Sequence, residues 1–353
     1  QNRVSQEVRV RFSLRPPKLM NIDQNNNLLE LFHNQYKKEK PGEIFLQSLK
    51  DPSQKFTWND TYLNILKLTE RLESMMKKND RCLLISENRP EWMISDLAIM
   101  LAKCITVPAY TTYTERDYEY LIDDCKPSVI IVSDETQYNK IRKIVKNKPF
   151  IKGVISFEKF QNEDNIIYTK NIFNKKEVKE KNFLNLQIKR TDTACIIYTS
   201  GTQGDPKGVM LSHGGILNNC EGSVSLIKEI ILTKPKFLTW LPLSHSYEHT
   251  VQFVQIAIGA RVFYAESIEK LIKNMSDCSP DIMTAVPRFY QNLYQKIIAN
   301  FNKTKGLKKF LINKMLELGK KRLFKQKLST KENFVDFVCE KLVRKKIKLQ
   351  FGG

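Results

Sequence analysis

The sequence contains no long uninterrupted apolar run. The longest apolar stretches, such as residues 96–110, are broken by Lys103. None approaches the roughly 18 to 20 consecutive apolar residues that a membrane-spanning helix needs, so we expect no segment that crosses a bilayer. Apolar residues still make up 41% of the 353 residues, which is enough for two hydrophobic cores.

The cysteines show no pairing pattern. They are odd in number, they are widely spaced, and none lies in a C-x-x-C pair or a metal-ligand spacing: Cys82, Cys104, Cys125, Cys195, Cys220, Cys278 and Cys339. A scattered set of this kind is typical of a reducing compartment rather than of a disulfide framework. The sequence therefore predicts a cytoplasmic location and no zinc site.

The chain has fewer acidic than basic residues. It contains 38 Asp and Glu and 58 Lys and Arg, which gives a formal net charge of +20. An excess of this size attracts anionic partners. A compositional bias toward lysine, which supplies 44 of the 58 basic residues, is one interpretation. Peripheral contact with an anionic membrane, at its inner surface, is another. Nucleic-acid binding is disfavoured, because no aromatic residues interleave with the basic ones.

The first nineteen residues differ in composition from the rest. They hold four of the chain's fourteen arginines: Arg3, Arg9, Arg11 and Arg15. A leader or a disordered segment before Met20 is favoured over a basic targeting arm, because Glu7 is present and an amphipathic pattern is missing.

From residue 81 onward, short apolar runs alternate with amphipathic segments. Strands are predicted at 82–86, 105–109, 128–133 and 153–157, and helices at 91–103, 116–125 and 135–146. After a polar connection over 161–190, strands are predicted at 193–199, 237–243, 261–265 and 281–286, and a helix at 212–229. This alternation predicts parallel sheets covered by helices. We divide the chain into a first α/β subdomain over 20–190 and a second over 191–353.

The C-terminal part is helical and basic. Segments 306–325 and 333–346 place apolar residues at helical spacing, with Lys and Arg on the other faces. Ordinary surface helices are favoured over a basic amphipathic face directed at a membrane.

The most informative segment is Tyr-Thr-Ser-Gly-Thr-Gln-Gly-Asp-Pro-Lys-Gly, residues 198–208, which directly follows an apolar run. Small residues let backbone N–H groups approach an anion, hydroxyl side chains add donors, and a lysine supplies the countercharge. A Walker-type loop needs Gly before the lysine and Ser or Thr after it, but Pro206 and Gly208 flank Lys207. The segment therefore predicts a polyphosphate cradle of a different kind.

Extended by Val-Met-Leu-Ser-His over 209–213, this segment resembles the signature loop of the acyl-adenylate-forming superfamily, which includes acyl-CoA synthetases, luciferases and peptide-synthetase adenylation domains. Gln203 stands where Thr is commoner. The resemblance implies a cradle for the β and γ phosphates of ATP, made of Thr199, Ser200, Gly201, Thr202, Gln203, Gly204 and Lys207. It also places Thr199 near Mg²⁺.

Further segments resemble the long-chain fatty acid:CoA ligases of that superfamily: residues 86–92, 107–112, 239–248 and 285–296. The resemblance implies that His245 borders the acyl-adenylate pocket, so His245 joins Lys207 and Thr199 as a predicted catalytic residue. Trp92 is interpreted as core packing. The other histidines, His33, His213 and His249, are interpreted as structural. Lys103 stands where the family usually has Gly, and we expect only a local turn to differ.

The resemblance implies an α/β fold, that of an adenylate-forming N-terminal domain with stacked, mostly parallel sheets covered by helices, truncated before the C-terminal lid domain. The implied activity is ATP-dependent conversion of a long-chain fatty acid to acyl-AMP and then acyl-CoA, with Mg²⁺ as cofactor and ATP and CoA as co-substrates. The later family motifs, including Tyr-Gly-x-Thr-Glu, do not occur before Gly353, so we expect this chain to be inactive alone. Another acyl or aryl adenylate-forming ligase, or a non-catalytic nucleotide-binding or lipid-binding module, are the alternatives.

Overall fold

The computed structural model describes residues 25–161, 165–199, 205–227 and 234–351. In chain order, the elements in these ranges are α1 (Leu28–Tyr36), β1 (Ile44–Ser48), β2 (Lys55–Thr57), α2 (Trp58–Glu73), β3 (Arg81–Ile85), α3 (Pro90–Leu101), β4 (Ile105–Ala109), α4 (Glu115–Cys125), β5 (Val129–Val132), α5 (Glu135–Lys146), β6 (Gly153–Ser156), β7 (Ile166–Tyr168), α6 (Thr169–Phe173), β8 (Thr193–Thr199), β9 (Lys207–Ser212), α7 (His213–Ile227), β10 (Lys236–Thr239), α8 (Ser246–Ala257), β11 (Arg261–Tyr264), α9 (Leu271–Cys278), β12 (Ile282–Met283), α10 (Pro287–Lys303), α11 (Gly306–Leu323), α12 (Thr330–Cys339) and α13 (Lys345–Gln350). A π-helical turn over Glu340–Arg344 joins α12 to α13.

Within the described ranges, one sheet has seven strands in the order β7-β6-β5-β3-β4-β8-β9. Its strands run parallel except for β9, which pairs antiparallel with β8. Helices α3, α4 and α5 supply the crossovers that parallel strands require. Strand β5 is buried along its whole length, as expected for a strand covered on both faces.

A second sheet of the described residues has five strands in the order β12-β10-β11-β1-β2. Here β1 pairs parallel with β11, although more than 200 residues separate Leu46 from its partner Val262. Both sheets therefore combine strands from either side of residue 190. The predicted architecture of mostly parallel sheets covered by helices is confirmed, whereas residue 190 as a boundary between folding units stays a prediction.

Helix α3 lies at the centre of the largest apolar cluster, which also includes residues of both sheets, such as Leu84 and Val262. All twelve residues of this helix are buried. A helix that is mostly apolar around its circumference is suited to that position. Trp92 is only 1% exposed, which agrees with its interpretation as a core residue.

Several predicted elements have other limits in the structure. The strand expected at 281–286 is restricted to Ile282–Met283, because Thr284 instead bonds to side chains of neighbouring elements and Pro287 begins α10. The strand expected at 237–243 ends at Thr239, because the chain then turns through Pro242. The helix expected at 333–346 begins earlier, at Thr330, where Ser329 and Glu332 form a capping box.

The predicted leader over residues 1–19 lies outside the described residues. All seven cysteines are buried and free. None of the helices in the described ranges combines the length and apolar character needed to span a bilayer.

Candidate active site

The predicted phosphate loop joins β8 to β9 in an antiparallel hairpin. The pairing sets Thr199 opposite Lys207 and Tyr198 opposite Gly208. Both Thr199 and Lys207 are exposed. Directly opposed residues of an antiparallel pair have Cβ atoms about 4.5–5.5 Å apart, so a hydroxyl and an ammonium group flank the open end of the hairpin. The remaining predicted ligands, Ser200, Gly201, Thr202, Gln203 and Gly204, lie outside the described residues.

Helix α4 anchors both arms of this hairpin. The Tyr198 hydroxyl donates to the Asp124 carboxylate, and the Tyr120 hydroxyl donates to the Pro206 carbonyl oxygen at 2.9 Å. Burial and the neighbouring Asp124 raise the pKa of Tyr198, so its phenol remains a donor. The start and the end of the loop are thus fixed to the same helix, which keeps Thr199 and Lys207 in place.

Gly208 is required by packing within the hairpin. A Cβ added at this position would lie 2.8 Å from Cγ2 of Ile196 and 3.2 Å from Cζ of Tyr198. The first distance is shorter than any ordinary carbon contact. A side chain here would therefore displace β9 from β8 next to Lys207.

A cleft of about 780 Å³ lies at the carboxyl ends of parallel strands from both sheets. This is the edge at which open α/β sheets bind their ligands. The seven-stranded sheet contributes 86–89, 110–112, Asp134 and Glu158, and the five-stranded sheet contributes Ser48, 50–51, Gln54, Trp240, Pro242, Ser244 and 265–269. Three segments that resemble the long-chain ligases, 86–92, 107–112 and 239–248, therefore meet at this cleft.

Asn88 ties the two sides of the cleft together. Its Nδ2 donates to the carbonyl oxygen of Leu241 at 2.6 Å, and the backbone N–H of Leu243 donates to its Oδ1 at 3.0 Å. Asn88 follows a strand of the seven-stranded sheet, whereas Leu241 and Leu243 follow a strand of the five-stranded sheet. One amide side chain thus bridges the two sheets at the cleft.

The cleft has more negative than positive side chains. Its cations are Lys50 and Arg89, and its carboxylates are Asp51, Glu87, Asp134, Glu158, Glu266 and Glu269. Arg89 is already engaged by Glu91 at 3.1 Å and by Glu158 at 2.9 Å. Although burial opposes its charged form, these carboxylates raise the pKa of Arg89. A polyphosphate is poorly matched to such a surface, whereas a ligand with hydrogen-bond donors is well matched.

No group of three or more His, Cys, Asp or Glu side chains in the described part of the chain could hold a metal ion. Mg²⁺ in nucleotide sites is held largely by substrate phosphates and water. The Thr199 hydroxyl fits such a role only as one ligand beside those phosphates.

His245 caps the N-terminus of α8. Its Nδ1 accepts the backbone N–H of Tyr247 at 3.2 Å, and its ring is exposed. It directly follows Ser244, which lines the cleft, but His245, Thr199 and Lys207 are themselves outside the described lining. The three predicted catalytic residues thus occupy the hairpin and the α8 terminus rather than the cleft wall.

A buried polar cluster connects α3 to α8. Asp96 Oδ2 lies 2.9 Å from Nε2 of His249 and accepts from Nε2 of Gln252 at 2.9 Å. Although burial alone lowers the pKa of His249, Asp96 raises it above its ordinary value. Asp96 was not predicted as important, since one acidic residue in an apolar helix is the only signal in the sequence.

Glu248 is a second buried acid that the sequence did not indicate. It is 0% exposed and accepts a hydrogen bond from Oγ1 of Thr284 at 2.8 Å. Burial raises the pKa of Glu248 to about 8, and Thr284 offsets part of that effect. The backbone carbonyl oxygen of Thr284 accepts a hydrogen bond from Nε1 of Trp240 at 2.7 Å, and Trp240 lines the cleft. An acid in the first turn of a helix usually faces solvent, so its burial was not foreseeable.

The two sheets, the anchored hairpin and the cleft at the strand ends define the N-terminal domain of an adenylate-forming enzyme. The model of the AMP-binding enzyme family matches residues 32–328, and the chain belongs to that family.

Curated relatives of this chain include several long-chain synthetases. Long chain acyl-CoA synthetase 4 of Arabidopsis thaliana is 30% identical over 332 residues, which cover 89% of this chain and 47% of the relative. Long-chain-fatty-acid–CoA ligase 5 of Rattus norvegicus is 30% identical over 282 residues, which cover 76% of this chain and 40% of the relative. The chain therefore spans less than half the length of these relatives.

Solved structures show the same fold. The anthranilate CoA ligase AuaEII in complex with anthranoyl-AMP matches with a TM-score of 0.66 and 18% identity, over 77% of this chain and 52% of that chain. The N-terminal domain of FACL13 from Mycobacterium tuberculosis matches with a TM-score of 0.64 and 17% identity, over 77% of this chain and 65% of that one. At this identity the likeness concerns the fold alone.

Proposed function

We propose that the protein containing this chain is an AMP-forming long-chain fatty acid:CoA ligase. The observation that carries this proposal is the meeting of 86–92, 107–112 and 239–248 at one cleft. These segments are distant in sequence and come from different sheets. Because they line one cleft, the segments that resemble long-chain ligases are close enough to contact the same ligand. The long-chain synthetases among the relatives support the same assignment.

The proposed reaction has two steps. The fatty acid carboxylate attacks the α-phosphorus of ATP, which forms acyl-AMP and releases pyrophosphate. The thiol of CoA then attacks the acyl carbonyl and releases AMP. Activation is needed because the oxide leaving group of a free carboxylate is poor, whereas AMP is a good leaving group.

In this proposal the hairpin binds the β and γ phosphates. The exposed ammonium of Lys207 neutralises charge that builds up on the departing pyrophosphate, and Thr199 donates its hydroxyl from the opposite strand. Catalysis of phosphoryl and nucleotidyl transfer depends mainly on such positioning and charge stabilisation. The Thr199 hydroxyl would also serve as one ligand of Mg²⁺, and the bound ion would supply further charge neutralisation.

His245 is proposed to act at the acyl end of the reaction. Its Nδ1 accepts a backbone N–H, so the neutral imidazole carries its proton on Nε2. This proton is the group that His245 can offer to an acyl-adenylate oxygen. The role is that of a hydrogen-bond donor and not of a base.

The experiment is pyrophosphate release by the whole protein with Mg·ATP and palmitate, acetate, benzoate or no acid, each with and without CoA. Release that depends on palmitate, with a thioester formed only when CoA is present, is the expected result. Release driven by benzoate or acetate would instead assign another acyl or aryl ligase. Binding of ATP without release by any acid would favour a non-catalytic module.

The hairpin assignment is tested by Lys207→Ala, with Lys78→Ala as a control at an exposed lysine away from the hairpin. Loss of a charged hydrogen bond to phosphate is worth about 1.5–3 kcal/mol, so we expect ATP binding to weaken roughly 10- to 100-fold in Lys207→Ala only. Equal ATP binding by both variants would show that Lys207 does not contact the phosphates.

A further inference from the structure

The net charge of the chain is concentrated in its last helices. Residues 303–350 hold sixteen Lys and Arg but only four Asp and Glu, so this segment carries +12 of the formal +20. A uniform compositional bias toward lysine would spread the charge evenly. Residues 303–350, from the end of α10 to the end of α13, are therefore a distinct basic region.

The few acidic residues of this region are used internally. Each of the four is ion-paired within the segment, and together they engage Lys314, Lys321, Arg322, Arg344 and Lys348. No ion pair between described residues involves the other eleven basic side chains. Ion pairs among the described residues therefore leave most of the positive charge of the region unneutralised.

The same region exposes large apolar side chains. Leu307 is 74% exposed and Leu342 is 53% exposed, and the other exposed side chains include Phe310, Leu323, Phe324 and Phe334. Helix α10, which packs beside them, has no buried residue at all. Exposed apolar groups in this number indicate an interaction surface rather than an ordinary helical surface.

Cationic and apolar groups meet at one groove. A cavity of about 700 Å³ lies among α10, α11 and the helix that runs from the π-helical turn into α13. Leu307 and Leu342 line it together with Lys308 and Lys346, and Phe301 and Leu311 extend the apolar wall. The groove therefore presents hydrocarbon flanked by ammonium groups on a single face.

We propose that this face, formed by α10 to α13 around the groove, docks on the surface of an anionic lipid bilayer. Lysines at its mouth contact acidic headgroups, and the exposed leucine and phenylalanine side chains insert at the level of the acyl boundary. Charge alone would suit any polyanion. The aliphatic groove favours lipid over nucleic acid, because nucleic acids offer no hydrocarbon and are recognised by stacking and hydrogen bonding.

The proposal does not depend on the ligase assignment, since it concerns binding to a surface and not turnover. It is tested by co-sedimentation of the whole protein that contains this chain with vesicles of phosphatidylcholine alone or of equal parts phosphatidylcholine and phosphatidylserine. We expect binding to the acidic vesicles only, weakening as salt is added.

Variants separate the contributions to that binding. Each lysine near an anionic surface contributes roughly fivefold, so Lys308→Gln with Lys346→Gln is expected to weaken vesicle binding about 20- to 30-fold. Leu307→Asn with Leu342→Asn is expected to weaken it about tenfold or more at unchanged charge. Lys143→Gln with Lys146→Gln, at exposed positions of α5, removes the same charge away from this face and is expected to change binding about twofold.

Thermal unfolding of each variant checks that the fold is retained, which is expected because Leu307 and Leu342 are largely exposed. Equal losses in the α5 and groove lysine variants, or full binding by the leucine variant, would overturn the proposal. Absence of vesicle binding together with tight binding to a single-stranded RNA homopolymer would overturn it in favour of a nucleic-acid partner.

Discussion

At the scale of single residues, replacement of glycine by alanine is expected to change the free energy of unfolding in opposite directions at Gly208 and Gly222. A Cβ at Gly208 meets Ile196 at 2.8 Å, whereas a Cβ at Gly222 has nothing within 4 Å. Gly208→Ala should therefore lower the free energy of unfolding by about 1–3 kcal/mol through overpacking. Gly222→Ala, inside α7, should raise it by up to about 1 kcal/mol through helix propensity. Urea denaturation of both variants measures these effects, and equal shifts would contradict the packing argument at the hairpin.

The buried carboxyl group of Glu248 is expected to make the stability of the protein depend on pH. Its ordinary pKa of 4.5 applies to the unfolded chain, whereas burial raises the pKa of the folded carboxyl to about 8. Between these values the native state binds a proton that the unfolded state has lost. The free energy of unfolding should therefore fall as the pH rises through this window, by at most about 1.4 kcal/mol per pH unit.

Glu248→Gln removes this titration and keeps an oxygen for Thr284. The variant should show a flatter profile of unfolding free energy between pH 4.5 and 8, with its largest gain over the parent near the upper limit. Denaturant unfolding at several pH values in that window gives both profiles. Parallel profiles would show that Glu248 is ionised in the folded protein.

At the scale of secondary-structure elements, the Asp96–His249 pair joins α3 to α8, and both side chains are at most 1% exposed. Removing one partner of a buried pair leaves the other charge uncompensated and typically costs about 3–5 kcal/mol. We expect Asp96→Asn and His249→Gln each to destabilise the protein by that order, and the double variant to lose clearly less than the two effects combined. A double-mutant cycle measured by urea denaturation gives the coupling.

The exposed Lys314–Glu317 pair in α11 is the matched control, with side chains 40% and 46% exposed. Solvent screening limits such pairs to less than about 1 kcal/mol, so Lys314→Gln should change stability little. Additive losses at Asp96 and His249 would mean that the two residues stabilise their helices separately.

Element positions were predictable wherever local pattern decides them. The strand at 105–109 and the helix at 135–146 have the predicted limits, since the first is apolar except for Thr106 and the second is amphipathic with Asp134 as its cap. Lys103 adopts a positive φ of 58°, which explains why glycine is usual at that turn. Strand β9 was not predicted, because it pairs only with β8, and its identity depends on the geometry of the hairpin rather than on its own sequence.

At the scale of the whole molecule, the family motifs were visible in the sequence, but their meeting place was not. The pairing of β1 with β11 brings the N-terminal segment into the sheet that carries 239–248, and no local pattern encodes a contact across more than 200 residues. The roles of Asp96 and Glu248 were missed for the same reason, because their burial results from the packing of one sheet's helices against the other's. The sequence thus yields a prediction of which residues take part in the chemistry, whereas the spacing between them depends on long-range contacts.

Asn88 offers the most direct test of that long-range coupling, because its amide bonds to both Leu241 and Leu243 across the cleft. Asn88→Ala removes both bonds and leaves two backbone groups unpaired, which should cost about 1–3 kcal/mol. Hydrogen exchange should accelerate at the Leu243 amide and at the start of α8 while remaining unchanged in α5. Asn219→Ala is the control, since the Asn219 side chain donates to the carbonyl oxygen of Gly215 within its own helix. If exchange at Leu243 were unaffected in Asn88→Ala, the two sheets would hold their spacing through the buried core alone, and the cleft geometry would not depend on this side chain.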